Sequence, residues 1–186
     1  SYRVFDKAGS PILIVRGEDG ALRAFYNTCQ HRGAPVVRDA CGVAKRLRCQ
    51  YHSWTYDLAG RLVGVPDRRD FTRLDTADRG LRPVRCESWA GFVFVNEDAG
   101  APPLIEWLGP VARAFAPLEC AKLRRLAVRR ERVPCNWKVA SDAFMEVYHL
   151  NTIHPRTVSQ TLDHSGGVMA LFPNGHTRMV TPKWPQ

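Results

Sequence analysis

Two short segments, each holding one cysteine and one histidine, constrain this sequence more than any other feature. The first reads Cys29-Gln-His31, the second reads Cys49-Gln-Tyr-His52, and seventeen residues separate them. Two thiolates and two imidazoles can surround one tetrahedral zinc, or they can hold a [2Fe–2S] cluster in which two histidines replace two cysteines on one iron. In either case the fold has to bring both segments to one metal centre.

The order of the four residues along the chain favours the cluster. Zinc modules with this donor set usually place the two cysteines together and the two histidines together. Here each segment supplies one of each. Two facing loops could then give their sulfurs to one iron and their nitrogens to the other, which is what an asymmetric cluster needs.

The residues around these segments have the alternation and the turn signals of β structure. Residues 11–15 and 21–26 read as strands, and Asp19-Gly20 between them is a strong hairpin signal. A second hairpin is predicted from Tyr56 to Leu62, where Gly60 can supply the positive φ that a tight turn requires. Further strands are predicted over residues 81–86 and 89–96, and Trp54 is expected to pack beneath the second segment.

A linker-like stretch, residues 98–103, follows the last predicted strand and indicates a domain boundary near residue 97. Residues 104–115 carry a helical stripe that Gly109-Pro110 interrupts, and residues 123–133 alternate like a strand. The apolar residues between Trp137 and Tyr148 then predict an amphipathic helix.

That helix carries a second candidate metal site. Glu146 and His149 are three residues apart and share a helical face, whereas His154 is five residues beyond His149, so the helix has to bend or end before Pro155. Two histidines and one carboxylate suit a non-haem Fe(II) with open positions for dioxygen. Taken alone, such a pair of histidines is also common on ordinary surface or core helices.

Both motifs, in this order, resemble the alpha (terminal oxygenase) subunit of the Rieske non-haem iron, ring-hydroxylating oxygenases. Residues 27–34, 49–57 and 60–62 resemble its Rieske domain, although Gln50 and Ser53 stand where the family more often has proline and glycine. Asn136-Trp-Lys, Glu146-Val-Tyr-His149 and His154-Pro155 resemble the start of its catalytic domain. The resemblance implies a mainly β chain: a Rieske-type antiparallel β domain over residues 1–97, then the start of an α+β, helix-grip-like catalytic domain over residues 98–186.

The resemblance also implies a role for each site residue. Cys29, His31, Cys49 and His52 would hold the [2Fe–2S] cluster, and His149 and His154 would bind the mononuclear non-haem Fe(II). Glu146 stands where the family commonly has an Asp that links the Rieske histidine of one subunit to the iron-binding histidine of its neighbour. The family's third iron ligand is an Asp far downstream, and Asp163 is the sole carboxylate after His154. The sequence is therefore expected to be part of a larger protein that contains this ligand.

A member of this family would be an oxidoreductase that passes electrons from a ferredoxin or reductase, through the cluster, to the iron. There dioxygen is activated to hydroxylate or demethylate a small organic substrate, expected to be aromatic. A homotrimer is implied, with or without a beta subunit. Two alternatives stay open: a Rieske-type electron carrier without oxygenase chemistry, which needs only residues 29–52, and a zinc-stabilised binding module.

Composition limits the other classes of function. The net charge is +9, but the densest basic run, Arg124-Arg125 with Arg129-Arg130, alternates with apolar residues and lacks interleaved aromatics, so we expect a solvated face or a subunit contact and no nucleic acid. No apolar run is long enough to cross a membrane. Cys41, Cys86, Cys120 and Cys135 are expected to be free thiols, which predicts a reduced, cytoplasmic location.

Overall fold

The computed structural model describes residues 1–7 and 9–185, and the chain divides into two compact units, Ser1–Leu104 and Ile105–Gln186. In the first unit, most of the regular secondary structure consists of antiparallel strands. These are β1 (Tyr2–Phe5), β2 (Ile12–Arg16), β3 (Leu22–Tyr26), β4 (Cys41–Gly42), β5 (Leu47–Arg48), β6 (Thr55–Tyr56), β7 (Leu62–Gly64), β8 (Pro83–Trp89) and β9 (Phe92–Asn96). Short 3-10 turns lie at Arg68–Asp70 and Ala77–Arg79.

The strands form one larger and one smaller sheet. The six-stranded sheet has the order β4-β1-β2-β3-β8-β9, and the three-stranded sheet has the order β5-β6-β7. All neighbouring strands pair antiparallel. The prediction of a mainly β, antiparallel architecture is confirmed.

Both predicted hairpins are present. Arg16 pairs with Leu22 across the Asp19-Gly20 turn, and Tyr56 pairs with Leu62 across the second turn. Gly60 has φ of +85°, and a Cβ at this position would lie 2.4 Å from the Phe25 ring. Only glycine fits this turn, because a side chain would meet both an unfavourable backbone conformation and a core aromatic ring.

The core of the first unit is made by both sheets. Successive side chains of β2 point to opposite faces of the sheet. Leu13 and Val15 therefore belong to the larger buried cluster, and Ile12 belongs to a smaller cluster on the other face. The larger cluster also contains both cysteines of the candidate metal site. Its other buried members are Phe25, Val36, Leu47, Trp54, Tyr56, Leu62 and Leu81.

The second unit is mostly turns with short helices and one hairpin. It begins at the second residue of α1 (Leu104–Leu108) and also contains α2 (Pro110–Phe115), α3 (Trp137–Asp142), α4 (Leu150–Ile153), β10 (Val168–Leu171) and β11 (Thr177–Val180). Gly109, with φ of +51°, separates α1 from α2 as the sequence predicts. None of the helices in the described part of the chain has the length and apolarity that a membrane span requires.

Two secondary-structure predictions for this unit are wrong. Residues 123–133 form neither strand nor helix, since no neighbouring strand among the described residues pairs with them. The helix predicted from Trp137 to Tyr148 ends at Asp142. Its apolar residues are exposed, Trp137 at 73% and Phe144 at 81%, and a short amphipathic helix needs a packing surface to continue.

Candidate functional site

The loop after β3 carries the first cysteine–histidine pair, and a buried asparagine holds it in shape. Asn27 Oδ1 accepts hydrogen bonds from the backbone nitrogens of Val36 and Val37, both at 3.1 Å, and its Nδ2 donates to Val37 O at 2.9 Å. At the loop tip, Cys29 N donates to Ala34 O at 2.8 Å, and Gly33 N donates to Cys29 O at 2.9 Å. Cys29 and His31 therefore lie on a tight turn closed by backbone hydrogen bonds.

The connection between β5 and β6 repeats this geometry. Cys49 N donates to Trp54 O at 2.9 Å, and Ser53 N donates to Cys49 O at 2.9 Å. In both tips the residue four positions after the cysteine has positive φ, +75° at Gly33 and +58° at Ser53. The second tip thus uses a serine where the first uses the glycine that this conformation favours.

The two cysteines point into the protein. Cys29 is 3% exposed and Cys49 is 2% exposed, and neither forms a disulfide. Burial raises the pKa of the Cys29 thiol, against the opposing hydrogen bond from Tyr56, and the neighbouring Cys49 raises it further. A buried thiolate pair needs a compensating positive charge, which a metal centre would supply.

Tyr56 is a member of this site that motif spacing did not single out. It is completely buried, its hydroxyl lies 3.3 Å from Cys29 Sγ, and it accepts a hydrogen bond of 3.0 Å from Gln30 N. Burial raises the pKa of Tyr56 above its usual range, and the Cys29 contact raises it further. The hydroxyl therefore stays protonated and can donate a hydrogen bond to a Cys29 thiolate.

The two histidines lie on the outer side of the tips. Their ring centroids are 4.7 Å apart, with an interplanar angle of 63°. His31 is half-buried and stacks on Trp54 at 4.8 Å, whereas His52 is exposed and has the ring of Tyr51 beside it at 3.8 Å. Burial lowers the pKa of His31, which favours the neutral imidazole that binds metals.

The donors fit a cluster with two protein ligands on each metal. With metal–nitrogen bonds of about 2.1 Å, two imidazole rings on one ion have centroids at most about 6.4 Å apart, and His31 and His52 meet this limit. The two sulfurs lie together in the core and the two rings lie together at the surface. A single tetrahedral zinc would instead need all four donors around one point.

The second candidate site flanks α4. His149 is the N-cap residue of this one-turn helix and His154 is its C-cap residue. Their ring centroids are 5.5 Å apart at 65°, which also meets the limit for two rings on one ion. The helix ends at Ile153, two residues before Pro155.

Glu146 orients the first of these histidines. Its carboxylate contacts His149 Nδ1 and accepts hydrogen bonds from the backbone nitrogens of Tyr148 and His149. The hydrogen bond with His149 holds the pKa of Glu146 below its usual range. With Nδ1 engaged in this way, Nε2 of His149 is left for a metal.

Asp163 serves as a cap of the turn at His164–Gly166. Its Oδ1 accepts from Ser165 N at 2.9 Å and from Gly166 N at 3.3 Å. In the described residues the second site therefore assembles two nitrogen donors without a third metal-binding side chain. That the third iron ligand lies elsewhere in a longer protein stays a prediction.

Comparisons with known proteins match two domains along this chain. A family described as Rieske [2Fe-2S] domain matches residues 1–80, and one described as ring hydroxylating alpha subunit (catalytic domain) matches residues 118–185. The chain is 34% identical over 171 residues to the biphenyl 2,3-dioxygenase subunit alpha of Rhodococcus jostii, covering 89% of this chain and 35% of the relative. It is 37% identical over 150 residues to the carnitine monooxygenase oxygenase subunit of Escherichia coli K12, covering 79% of this chain and 40% of that one.

Solved structures give the same result. The quaternary ammonium Rieske monooxygenase CntA in complex with an inhibitor superposes with a TM-score of 0.85 at 30% identity, over 95% of this chain and 51% of that chain. Naphthalene 1,2-dioxygenase from Rhodococcus bound to indole superposes with a TM-score of 0.80 at 28% identity, over 97% and 45%. The chain spans about a third to a half of the length of these relatives. With a Rieske domain and part of the catalytic domain in the family's order, it belongs to the alpha subunits of the Rieske non-haem iron oxygenases.

Proposed function

We propose that the protein containing this chain is the oxygenase component of a Rieske non-haem iron mono- or dioxygenase. Residues 1–97 would be its Rieske domain, and residues 98–186 would be the first part of its catalytic domain. The observation that supports the proposal is the matched pair of loop tips, which carry two buried cysteines and two imidazole rings with centroids 4.7 Å apart. The paired His149 and His154 rings, with Glu146 in contact with His149, support a second centre.

The chain would provide ligands to two metal centres. Cys29, His31, Cys49 and His52 would hold a [2Fe–2S] cluster, and His149 and His154 would hold a mononuclear Fe(II). When bound, these groups supply one-electron transfer at roughly −150 to +300 mV and activation of dioxygen. Trp54 excludes water behind His31, and Tyr56 stabilises the Cys29 thiolate through its hydroxyl.

His52 and Glu146 would form the connection between subunits. His52 is the exposed member of the histidine pair, so its ring edge is open to another protein surface. Glu146 holds its own His149 and is also accessible to solvent. In a homotrimer, with or without a beta subunit, Glu146 of one subunit would link His52 of its neighbour to the iron-binding His149. This glutamate is one methylene longer than the family's more common aspartate.

The remaining assignments are reaction class and partners. A ferredoxin or reductase would supply electrons, dioxygen would be the oxidant, and a small organic, aromatic molecule would be hydroxylated or demethylated in the cytoplasm. The relatives' names include biphenyl and carnitine, so the reaction class is proposed without a named substrate. An electron carrier without oxygenase chemistry would use only the first centre.

Absorption and EPR spectra of the full-length protein test the first centre. A red-brown protein with a Rieske-type signal is expected, and Cys49→Ser should abolish that signal. The matched control is Cys41→Ser, because Cys41 is an exposed free thiol on β4. A colourless protein that contains zinc, or a Rieske signal unchanged by Cys49→Ser, would contradict the ligand assignment.

Iron counting separates an oxygenase from a carrier. The full-length subunit is expected to hold about three irons, two of them in the cluster. His154→Ala should remove about one iron and leave the Rieske spectrum intact. A wild-type count of about two, unchanged by His154→Ala, would favour the carrier.

A further inference from the structure

Residues 67–74, which we term the Phe71 loop, leave the first unit's surface and return to its core. The loop starts at Asp67, whose φ of +49° is left-handed, and continues through the 3-10 turn at Arg68–Asp70. Asp70 N donates to Asp67 O at 2.8 Å, and Leu74 N donates to Phe71 O at 3.1 Å. The side chains of Phe71 and Leu74 are partly buried against the cluster of core residues that includes both metal-site cysteines.

An exposed arginine fixes the shape of this loop. The Arg68 guanidinium donates from Nη1 to Phe71 O and from Nη2 to Leu74 O. These two carbonyls belong to the two residues whose side chains reach the core. Arg68 thus holds the loop closed from the solvent side and takes no part in the core.

The Phe71 ring lies beside His31, the half-buried histidine of the pair. Its centroid is 6.4 Å from His31 at 86° and 6.2 Å from Trp54 at 78°. The His31 and Trp54 rings are themselves nearly parallel, with an angle of 9°. His31 is therefore half-buried beside two aromatic rings, whereas His52 is exposed. The two histidines of one centre differ in their access to water.

We propose that Phe71, held by Arg68, is a positioning residue that shields the His31 side of the cluster from water. This inference rests on the proposed function. Reduction adds one negative charge to a neutral cluster with two thiolate and two imidazole ligands, and a drier surrounding disfavours that charge. The loop therefore lowers the midpoint potential, and by excluding water it also slows metal loss on this side. His52 is then the ligand of the cluster that contacts solvent and partner proteins.

The test compares Phe71→Ala and Arg68→Ala with two controls in the purified holoprotein. Phe71→Tyr keeps the ring, and Arg69→Ala removes an adjacent exposed arginine whose ion pair is with Asp70 at 3.7 Å. Phe71→Ala is expected to favour reduction about threefold, which is about 28 mV for a one-electron couple. It is also expected to speed bleaching by excess chelator about tenfold, and Arg68→Ala should change both in the same direction. Both controls should match the wild type.

Each outcome decides the inference. Should Phe71→Ala fail to fold, Arg68→Ala carries the test, because its side chain is exposed. Loaded variants with wild-type potential and bleaching rate would overturn the shielding role while leaving the proposed function intact. Equal shifts in Arg68→Ala and Arg69→Ala would show a plain charge effect and would overturn the role of Arg68. A wild type without a Rieske spectrum would remove the proposed function and this inference together.

Discussion

Replacing Tyr56 by phenylalanine removes a single hydroxyl from the candidate metal centre. Phenylalanine keeps the volume and shape of this fully buried side chain, so no cavity forms. The change removes the donor that lies 3.3 Å from Cys29 Sγ and the acceptor of the 3.0 Å hydrogen bond from Gln30 N. Two separate effects follow, one on the reduction potential and one on stability.

The effect on potential comes from the thiolate. Reduction places more negative charge on the cluster and its sulfurs, so a hydroxyl that donates to Cys29 stabilises the reduced state more than the oxidised state. If that difference is about 1 kcal/mol, the net worth of a typical intramolecular hydrogen bond, the midpoint potential of Tyr56→Phe falls by about 40 mV. The unsatisfied Gln30 N–H adds a stability cost of about 1 kcal/mol.

A potentiometric titration followed by EPR measures the first effect, and urea denaturation measures the second. Tyr51→Phe is the matched control, because Tyr51 lies beside His52 at the surface and is far more exposed than Tyr56. It is expected to keep the wild-type potential. A Tyr56→Phe protein with full cluster content and an unchanged or higher potential would refute the assignment of this hydroxyl as the donor to Cys29.

Three further changes test other parts of the structure. Asn27→Ala leaves two loop amides without their buried acceptor and should lower the free energy of unfolding by about 2–4 kcal/mol in urea titrations; a loss under about 0.5 kcal/mol would contradict the bracing role. Gly60→Ala should cost more than about 2 kcal/mol because its Cβ would meet the Phe25 ring, whereas Gly20→Ala, at φ of +77° in open space, should cost only about 1 kcal/mol. Equal losses in calorimetry would argue against the contact. Glu146→Gln in the full-length protein should slow turnover about tenfold to a hundredfold with the Rieske spectrum unchanged, and a wild-type rate would exclude the relay.

Local signals predicted the first unit well. The Asp19-Gly20 hairpin and the strands that follow residue 81 depend on neighbours in sequence, and the structure contains them. The spacing of the cysteines and histidines indicated a centre with sulfur and nitrogen donors, because the residue types and their order along the chain determine which ligands a metal can have. The structure then places these donors on two matching turns.

Features that depend on contacts between distant parts of the chain could not be predicted from the sequence. Alternation over residues 123–133 predicted a strand, yet a strand forms only where another chain segment pairs with it. The apolar stripe after Trp137 likewise predicted a longer helix than its exposed surroundings support. Phe71 lies in a polar stretch without a motif, so its relation to the candidate metal site is visible only from its position beside His31 in the structure. The Tyr56 hydroxyl bond to Cys29 crosses 27 residues and leaves no periodic signal.

The matching backbone turns at Cys29 and Cys49 bear on how such a protein matures. Main-chain amides and carbonyls close both tips, so the tips owe their form to the polypeptide itself. Zinc fingers behave differently, since they are unfolded until the ion arrives. Here biogenesis is expected to deliver iron and sulfide to an already folded apoprotein, whose circular dichroism would survive demetallation.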